Sequence, residues 1–503
     1  MTGKDPFTGA ITILLWVSAL IIATSFMGES LGWQVTSVSG SHEIAVQSVF
    51  SADNLRTILT SAPVTATSFL PLGIILIVTL GAAVAERSGL FDALVRGSLK
   101  RIYAPLLTPS VAIIGLVAHQ LSDALMVVYF PLAGLAFAAK GRSPVLGILT
   151  GFAAFSGGFA ANLFPGEQDI VLFTLTHAAA RALDPNIAFN PLANWYFTAV
   201  LAAAYLAAIW FLTDRVLERY FRAIGLCDAA QMAAAADPHL RPEEARGLRR
   251  AGLAAALILT GFAILLLAPA YHPLMDAARS GPARLEPAFK SIPAMLMMLF
   301  LGAGWAYGAT TGALKDGAQV VGAMSQGIGQ LAPYILAAVL IALLVSFVRL
   351  SHLGEFLMLL GAAELSHTQL PTPVLIAILV AVTALLDLLM GSASAKWAIM
   401  APIVVPMFML LGISPAMSTA AYRVGDGIGN VLTPMMPCLA LVLVYCQNWY
   451  KSFTFSTLVV SMAPFAASFL LLGALIAAGW SMTAVPLGPF SPPHITPLAA
   501  LGR

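Results

Sequence analysis

The stretch from Gly391 to Pro437 is a dense polar island in a chain that is otherwise strongly apolar. It reads Gly391-Ser392-Ala393-Ser394-Ala395-Lys396-Trp397, then Ala421-Tyr422-Arg423-Val424-Gly425-Asp426-Gly427-Ile428-Gly429-Asn430, then Thr433-Pro434-Met435-Met436-Pro437. Charge at membrane depth is costly and marks substrate or ion pathways. Arg423 and Asp426 are three residues apart and Asp426 and Asn430 four apart, so on a helix all three share one face. Two readings follow. Arg423 and Asp426 neutralise each other as a structural pair between helices, or Arg423 receives a substrate carboxylate while Asp426 binds a proton or cation. Gly425, Gly427, Gly429 and Pro434 argue against a plain packed helix and favour a discontinuous one, which tilts the reading toward a site.

Asp387 lies four residues before Gly391, in an apolar run from Val380 to Leu389 that offers it no local partner. A carboxylate buried without a partner is a candidate proton carrier at neutral pH. A span ending near Thr383 would instead leave Asp387 wet. Ser392 and Ser394 alternate, so at a non-helical tip both hydroxyls could donate to an anion. Trp397 is either an interface anchor or a platform for an aromatic ligand. In the first half, Ser156 to Asn162 is a second small and polar break, followed by Pro165-Gly166-Glu167-Gln168-Asp169. Asn162 and Asp169 are the polar groups there suited to face a cavity. His119, Gln120 and Asp123 sit between two short apolar runs, where a turn explains them as well as a binding site does.

Common catalytic signatures are missing. There is no H-E-x-x-H, no Walker A loop and no G-x-S-x-G elbow, so ATP is not the energy source within this chain. The three cysteines, Cys227, Cys438 and Cys446, have neither a pairing framework nor metal-ligand spacing. Basic segments such as Arg241 to Arg250 lack interleaved aromatics, which argues against a nucleic-acid partner. No cofactor is called for.

The elements that position these residues are membrane helices. Of 503 residues, 59% are hydrophobic and 10% charged, against about 25% charged in soluble domains. Several apolar runs, among them Ile11 to Met27, Leu70 to Ala85, Ala251 to Ala270 and Phe465 to Trp480, approach or reach the ~20 residues that cross a bilayer. The fold class is an all-α polytopic membrane protein. Spans are expected near 8–28, 69–86, 106–119, 122–139 and 193–213, then near 250–270, 291–312, 331–350, 372–390, 430–446 and 456–480. The first apolar run lacks a small-x-small cleavage site and reads as a membrane helix, not a signal peptide.

Arginine and lysine gather in connecting segments, with seven Arg from Arg215 to Arg250, whereas Glu29 to Ser68 carries one cation, Arg56. The positive-inside rule places the N-terminus in the cytoplasm and 29–68 outside. Two interrupted regions, about 145–180 and about 391–413, fall in corresponding halves of the chain. Paired broken segments point to an inverted-repeat transporter with its site between the halves. The organisation is a first half (1–213), a cytoplasmic connector (214–248), a second half (249–485) and a loose tail (486–503).

Five blocks in order resemble a known family. They are Leu80 through Leu90, Ser122-Asp123-Ala124, Ser156 through Asp169, Gly391 through Trp397, and Ala421 through Asp426. With them the chain resembles the p-aminobenzoyl-glutamate transporter (AbgT) family of bacterial inner-membrane proteins across nearly its whole length. The resemblance implies a homodimer in the bilayer, each protomer with about nine spanning helices and two re-entrant hairpins. It also implies a secondary transporter that imports p-aminobenzoyl-glutamate or exports p-aminobenzoate-like sulfonamide antimetabolites. Family site positions carried onto this chain are Asp169, Ser394, Trp397, Pro415, Arg423, Asp426 and Pro434. Where the family commonly has Asn, four residues before the Gly391 block, this chain has Asp387. There the family amide lies beside the equivalent of Asp426 around a sodium site.

The expected function is a proton-coupled antiporter that exports aromatic carboxylates and sulfonamides. Substrate falls to Asn162, Asp169, Ser392, Ser394, Trp397, Pro415, Arg423 and Pro434. The coupling ion falls to Asp387, Asp426 and Asn430, with sodium at Asp387 and Asp426 as the alternative to a proton. The nearest rival is an importer of p-aminobenzoyl-glutamate or another dicarboxylate. A remote rival is an intramembrane aspartyl hydrolase using Asp387 and Asp426.

Overall fold

The computed structural model describes residues 8–36, 43–99, 103–121, 125–164, 166–185, 187, 190–226, 240–268, 273–276, 284, 286–357, 360, 370–388, 393–433 and 436–495. Apolar runs with few charges leave the backbone no partner but itself, so the described chain is almost entirely helical. In order, the helices of the first half are α1 (Thr8–Ser30), α2 (Ala52–Thr67), α3 (Leu70–Arg87), α4 (Leu90–Leu99), α5 (Leu107–Leu121), α6 (Met126–Ala138), α7 (Pro144–Gly157), α8 (Glu167–Leu183), α9 (Trp195–Phe211) and α10 (Glu218–Ala223). Those of the second half are α11 (Pro242–Leu267), α12 (Glu286–Thr311), α13 (Gly317–Gln330), α14 (Ala332–Ser351), α15 (Thr372–Asp387), α16 (Ala393–Leu410), α17 (Pro415–Gly429), α18 (Pro437–Trp449) and α19 (Phe455–Trp480). Two short antiparallel strands, Gln34–Thr36 and Glu43–Ala45, lie in the connection after α1, with Val35 opposite Ile44.

Among the described residues, six helical segments are long and apolar enough to cross a membrane, and shorter apolar helices accompany them. Their outer faces are apolar. On α11 only Glu244, Gly247 and Ala251 are buried, while Leu257 is 74% exposed and Leu253, Ile264 and Leu267 are exposed beside it. A helix with so apolar an outer face belongs against lipid. α12 packs between α11 and α3, and α13 also lies on α3. A second group centres on α7, which touches α5, α6 and α9, and a third joins α15, α17 and α19 with α16 against α8.

α7 and α17 are buried along their whole length. They are the innermost helices, and their sequences carry the small residues that close approach requires. The first interruption falls where expected: α7 ends at Gly157 and the chain turns through Phe159 and Asn162 before α8. In the second region the expected break from Gly391 lies partly outside the described residues, between the end of α15 at Asp387 and the start of α16 at Ala393. α16 runs from Ala393 to Leu410 straight through Pro402 and Pro406. α17 continues through Gly425 and Gly427 to Gly429 and stops only there. Gly425 and Gly427 serve helix packing, and the discontinuity follows Gly429, before α18 begins at Pro437.

The connector expected over 214–248 is helical where it is described. A π-helical turn, Leu212–Leu217, carries α9 into α10, and α11 begins at Pro242. The turn aims Asp214 at Arg142, whose Nη2 reaches Asp214 Oδ1 at 2.6 Å and Glu218 Oε2 at 2.8 Å. Thr108 Oγ1 donates to the same Asp214 oxygen at 2.7 Å. This partly buried cluster fastens the start of α5, the α6–α7 turn and the α9–α10 junction. The tail, expected loose from 486, is pinned as far as Ile495. Leu487 O accepts from Phe197 N at 3.0 Å, Pro493 O from Ser414 N at 3.0 Å, and Ile495 N donates to Gly412 O at 2.9 Å. Asn190 Nδ2 adds a bond to Pro489 O at 2.7 Å.

Candidate functional site

The break after α7 leaves backbone polar groups at membrane depth, and side chains of both halves take them up. Asp169, in the first turn of α8, accepts from Gly166 N at 2.7 Å and from Asn162 Nδ2 at 2.9 Å. Asn162 Nδ2 also donates to Gln120 Oε1 at 3.1 Å, and Gln120 Nε2 to Gly158 O at 3.2 Å. The remaining Asp169 oxygen, Oδ1, receives Arg423 Nη1 from α17. Arg423 and Asp169 are 3% and 9% exposed. A buried cation with a bonded counter-ion is the form in which charge survives in an apolar interior.

Asp426, three residues on, does not pair with Arg423 as one sequence reading held. Its Oδ1 lies 2.9 Å from Lys396 Nζ. The same ammonium contacts Asp387 Oδ1. The physical reason is direction: Arg423 reaches toward the first break and Asp426 toward α15 and α16, so each finds a partner on another helix. Asp387 is the last residue of α15 and is 0% exposed. The expected lack of a local partner holds within its own run, and the partner comes from nine residues on, across the interruption. The wet reading of Asp387 fails with its burial. Asn430 Nδ2 completes the group at 3.4 Å from Asp426 Oδ2.

Trp397 is fully buried and therefore not an interface anchor. It stacks on Tyr422 with ring centroids 4.3 Å apart and donates from Nε1 to Thr176 Oγ1 at 2.8 Å. Thr176 in turn bonds Thr419 Oγ1 at 2.8 Å. The Tyr422 hydroxyl donates to Ala393 O at 2.5 Å and lies 3.3 Å from Asp426 Oδ1. Pro415 is buried at the first turn of α17, where Ser414 caps Met417 N at 3.1 Å. Ser394 is half-buried in the first turn of α16. Ser392, Pro434 and Asp123 lie outside the described residues.

The α17 glycines set how closely these groups meet. A Cβ on Gly425 would come within 2.5 Å of Val380 O and of Thr383 Cβ, and one on Gly427 within 2.8 Å of Ala160 Cβ. A Cβ on Gly429 would collide with the Asp387 carboxylate. The run Gly425-Asp426-Gly427-Ile428-Gly429 thus lets α17 lie against α15 on one side and the first break on the other. Lys396, Tyr422, Thr176 and Thr419 are not among the site residues read from sequence, whereas Gln120, weighed as a turn or a binding residue, joins the Asn162–Asp169 group. Tyr422 lies four residues before Asp426, a helical spacing that signals a shared face. Nothing local marks Thr176, whose partners are 221 and 243 positions away.

Buried, paired charges contributed by both halves of an apolar helical bundle, at interrupted segments, define a multi-pass membrane transporter. The chain belongs to the AbgT putative transporter family, whose pattern matches residues 5–495. It is 27% identical over 496 residues to the p-aminobenzoyl-glutamate transport protein of Escherichia coli (strain K12), a match covering 96% of this chain and 94% of that one. Among solved structures it resembles the YdaH transporter of Alcanivorax borkumensis, with TM-score 0.55 and 32% identity, covering 97% of this chain and 100% of that one. It also resembles MtrF of Neisseria gonorrhoeae, described with a class of antimetabolite efflux pumps, with TM-score 0.53, 30% identity and 98% coverage of both chains. Its relatives are transporters, and the chain is not an enzyme.

Proposed function

We propose that the protein is a proton-coupled antiporter of the bacterial inner membrane that exports p-aminobenzoate-like aromatic carboxylates and sulfonamides. The observation that carries this reading is the division of buried charge into two groups. Arg423 with Asp169 forms an anion-exchangeable pair, and Asp387 with Lys396 and Asp426 forms a cation-binding one. A substrate carboxylate can replace Asp169 on Arg423, because guanidinium takes carboxylates with the same fork geometry. Thr419, which reaches the indole of Trp397 through Thr176, lies four residues before Arg423 on α17. Arg423 also follows Tyr422, the residue that stacks on Trp397, so cation and aromatic pair are brought together at the same stretch of α17.

The second group supplies the coupling. Asp387 and Asp426 share a single ammonium, Lys396, so the group holds one carboxylate charge more than its cation and can take up and release one proton to drive reorientation. The protein exchanges this proton for substrate across the membrane, with its N-terminus in the cytoplasm. In the proposed architecture the protomers pair as homodimers of about nine spans and two re-entrant hairpins. A sodium ion is the second reading for the same group. It is favoured by Thr383 Oγ1, Asp387 Oδ2 and Asn430 Oδ1, buried oxygens left without a hydrogen-bond partner beside Asp426; oxygen sets of this kind suit hard cations. An importer of p-aminobenzoyl-glutamate would use the same groups with opposite net flux, a reading that the Escherichia coli relative's name supports. Counterflow of p-aminobenzoate against p-aminobenzoyl-glutamate in liposomes under an imposed pH gradient tests the proposal. Accumulation against the gradient in the export sense supports it. Accumulation of the glutamate conjugate alone, in the import sense, sinks it.

A further inference from the structure

Lys396 stands between two acids without being one of the residues expected to handle substrate or ion. Its side chain is 0% exposed, its Nζ contacts Asp387 Oδ1, and it lies 2.9 Å from Asp426 Oδ1. The titratable and polar groups facing it are few. From α17 come Tyr422, with its ring centroid 6.0 Å from Nζ, and Asp426, which also meets Asn430. From α15 comes Asp387. Among the described residues, the buried charged side chains are Asp169, Glu244, Asp387, Lys396, Arg423 and Asp426. Glu244 is set apart, bonded to Arg241 at the start of α11 at 2.7 Å. What remains is three carboxylates and two cations, a net of one negative charge. Asp169 and Arg423 cancel locally, so the uncompensated charge resides on the Asp387–Lys396–Asp426 group.

We propose that Lys396 is a fixed counter-cation that sets the coupling ratio at one mobile cation per transport cycle. This rests on the transport reading above. A buried group with net charge is costly to move across an apolar barrier, so on the leg that carries the cation and no substrate the carrier reorients most readily when its buried charges sum to zero. With the ammonium built in, one proton or one monovalent cation achieves that. Without it, two carboxylates need two. Lys396 is thus a positioning and charge-setting residue, and its tether leaves Asp387 Oδ2 as the acceptor open to the mobile cation.

The test pairs a flux readout with a structural one. Coupling is read in liposomes, with p-aminobenzoate as probe, as the substrate accumulation sustained at balance by an imposed cation gradient. Protonation is read separately on purified protein in detergent from the infrared carbonyl band of protonated carboxyl groups at neutral pH. Wild type and Lys396→Arg are expected to accumulate with the first power of the cation gradient. Lys396→Met is expected to follow the second power and to gain the protonated-carboxyl band. Lys396→Met combined with Asp387→Asn restores one net negative charge, and is expected to return to the first power and lose that extra band. A first-power dependence and an unaltered band in Lys396→Met would overturn the assignment. A gained band with no p-aminobenzoate flux in any form, wild type included, supports the counter-cation and refutes the substrate reading instead.

Discussion

The Asp169–Arg423 contact joins the two halves of the chain through a pair of charges with little access to water. Removing one member leaves the other buried and uncompensated, which costs about 3–5 kcal/mol. Asp169→Asn should therefore lower the thermal unfolding midpoint of the purified protein and, by freeing Arg423 from its competing carboxylate, retain or tighten binding of p-aminobenzoate. The double variant Asp169→Asn with Arg423→Gln should regain part of the stability but lose the binding. Equal destabilisation by the double and the sum of the singles would mean that the pair is not coupled. Trp397→Phe keeps the stack on Tyr422 but loses the bond to Thr176. It should cost about 1 kcal/mol and weaken affinity for the aromatic substrate in a binding titration. Sequence spacing pointed to Arg423, Asp426, Asp387 and Trp397 because charge and indole are rare in apolar runs. It could not give their partners: Arg423 and Asp169 are 254 positions apart, and only the fold chooses between a neighbour on the same helix and one across the core.

Helix positions were legible from hydropathy, and their interruptions less so. The first break was read correctly because Ser156-Gly157-Gly158 is followed by Pro165-Gly166, a cluster that no helix accommodates easily. The glycines of α17 give the same local signal for a different reason, since at those points α15 and the first break approach within contact of the helix backbone. Glycine composition alone does not separate a break from a close crossing. The distinction is testable. Gly427→Ala forces a methyl against Ala160, an overpacking that costs about 1–3 kcal/mol, and should reduce both thermal stability and transport. Gly322→Ala, on α13 with open space around it, should instead be neutral or stabilising by roughly 0.5–1 kcal/mol. A matched gain at both positions would show that helix propensity, not close approach, governs these glycines.

Taken whole, the molecule is a bundle whose outer helices present apolar side chains to lipid and whose buried helix α17 carries Arg423 and Asp426 against partners from α8, α15 and α16. The pinned tail extends this plan: the segment from Leu487 to Ile495 ties the α16–α17 turn to the start of α9. Its proline-rich composition suggested looseness, yet proline also suits extended segments that bond through their carbonyls, as Pro489 and Pro493 do here. Asn190→Ala removes the bond to Pro489 and should raise proteolytic cleavage within 486–495 in the purified protein. Asp387 brings a second carboxylate to Lys396 beside Asp426. The most direct test of proton coupling is substrate counterflow in liposomes with wild type and Asp387→Asn, varying the pH gradient and the sodium gradient separately. Loss of the pH dependence in Asp387→Asn, with any sodium dependence unchanged, is the predicted result. A pH profile identical to that of wild type would contradict it.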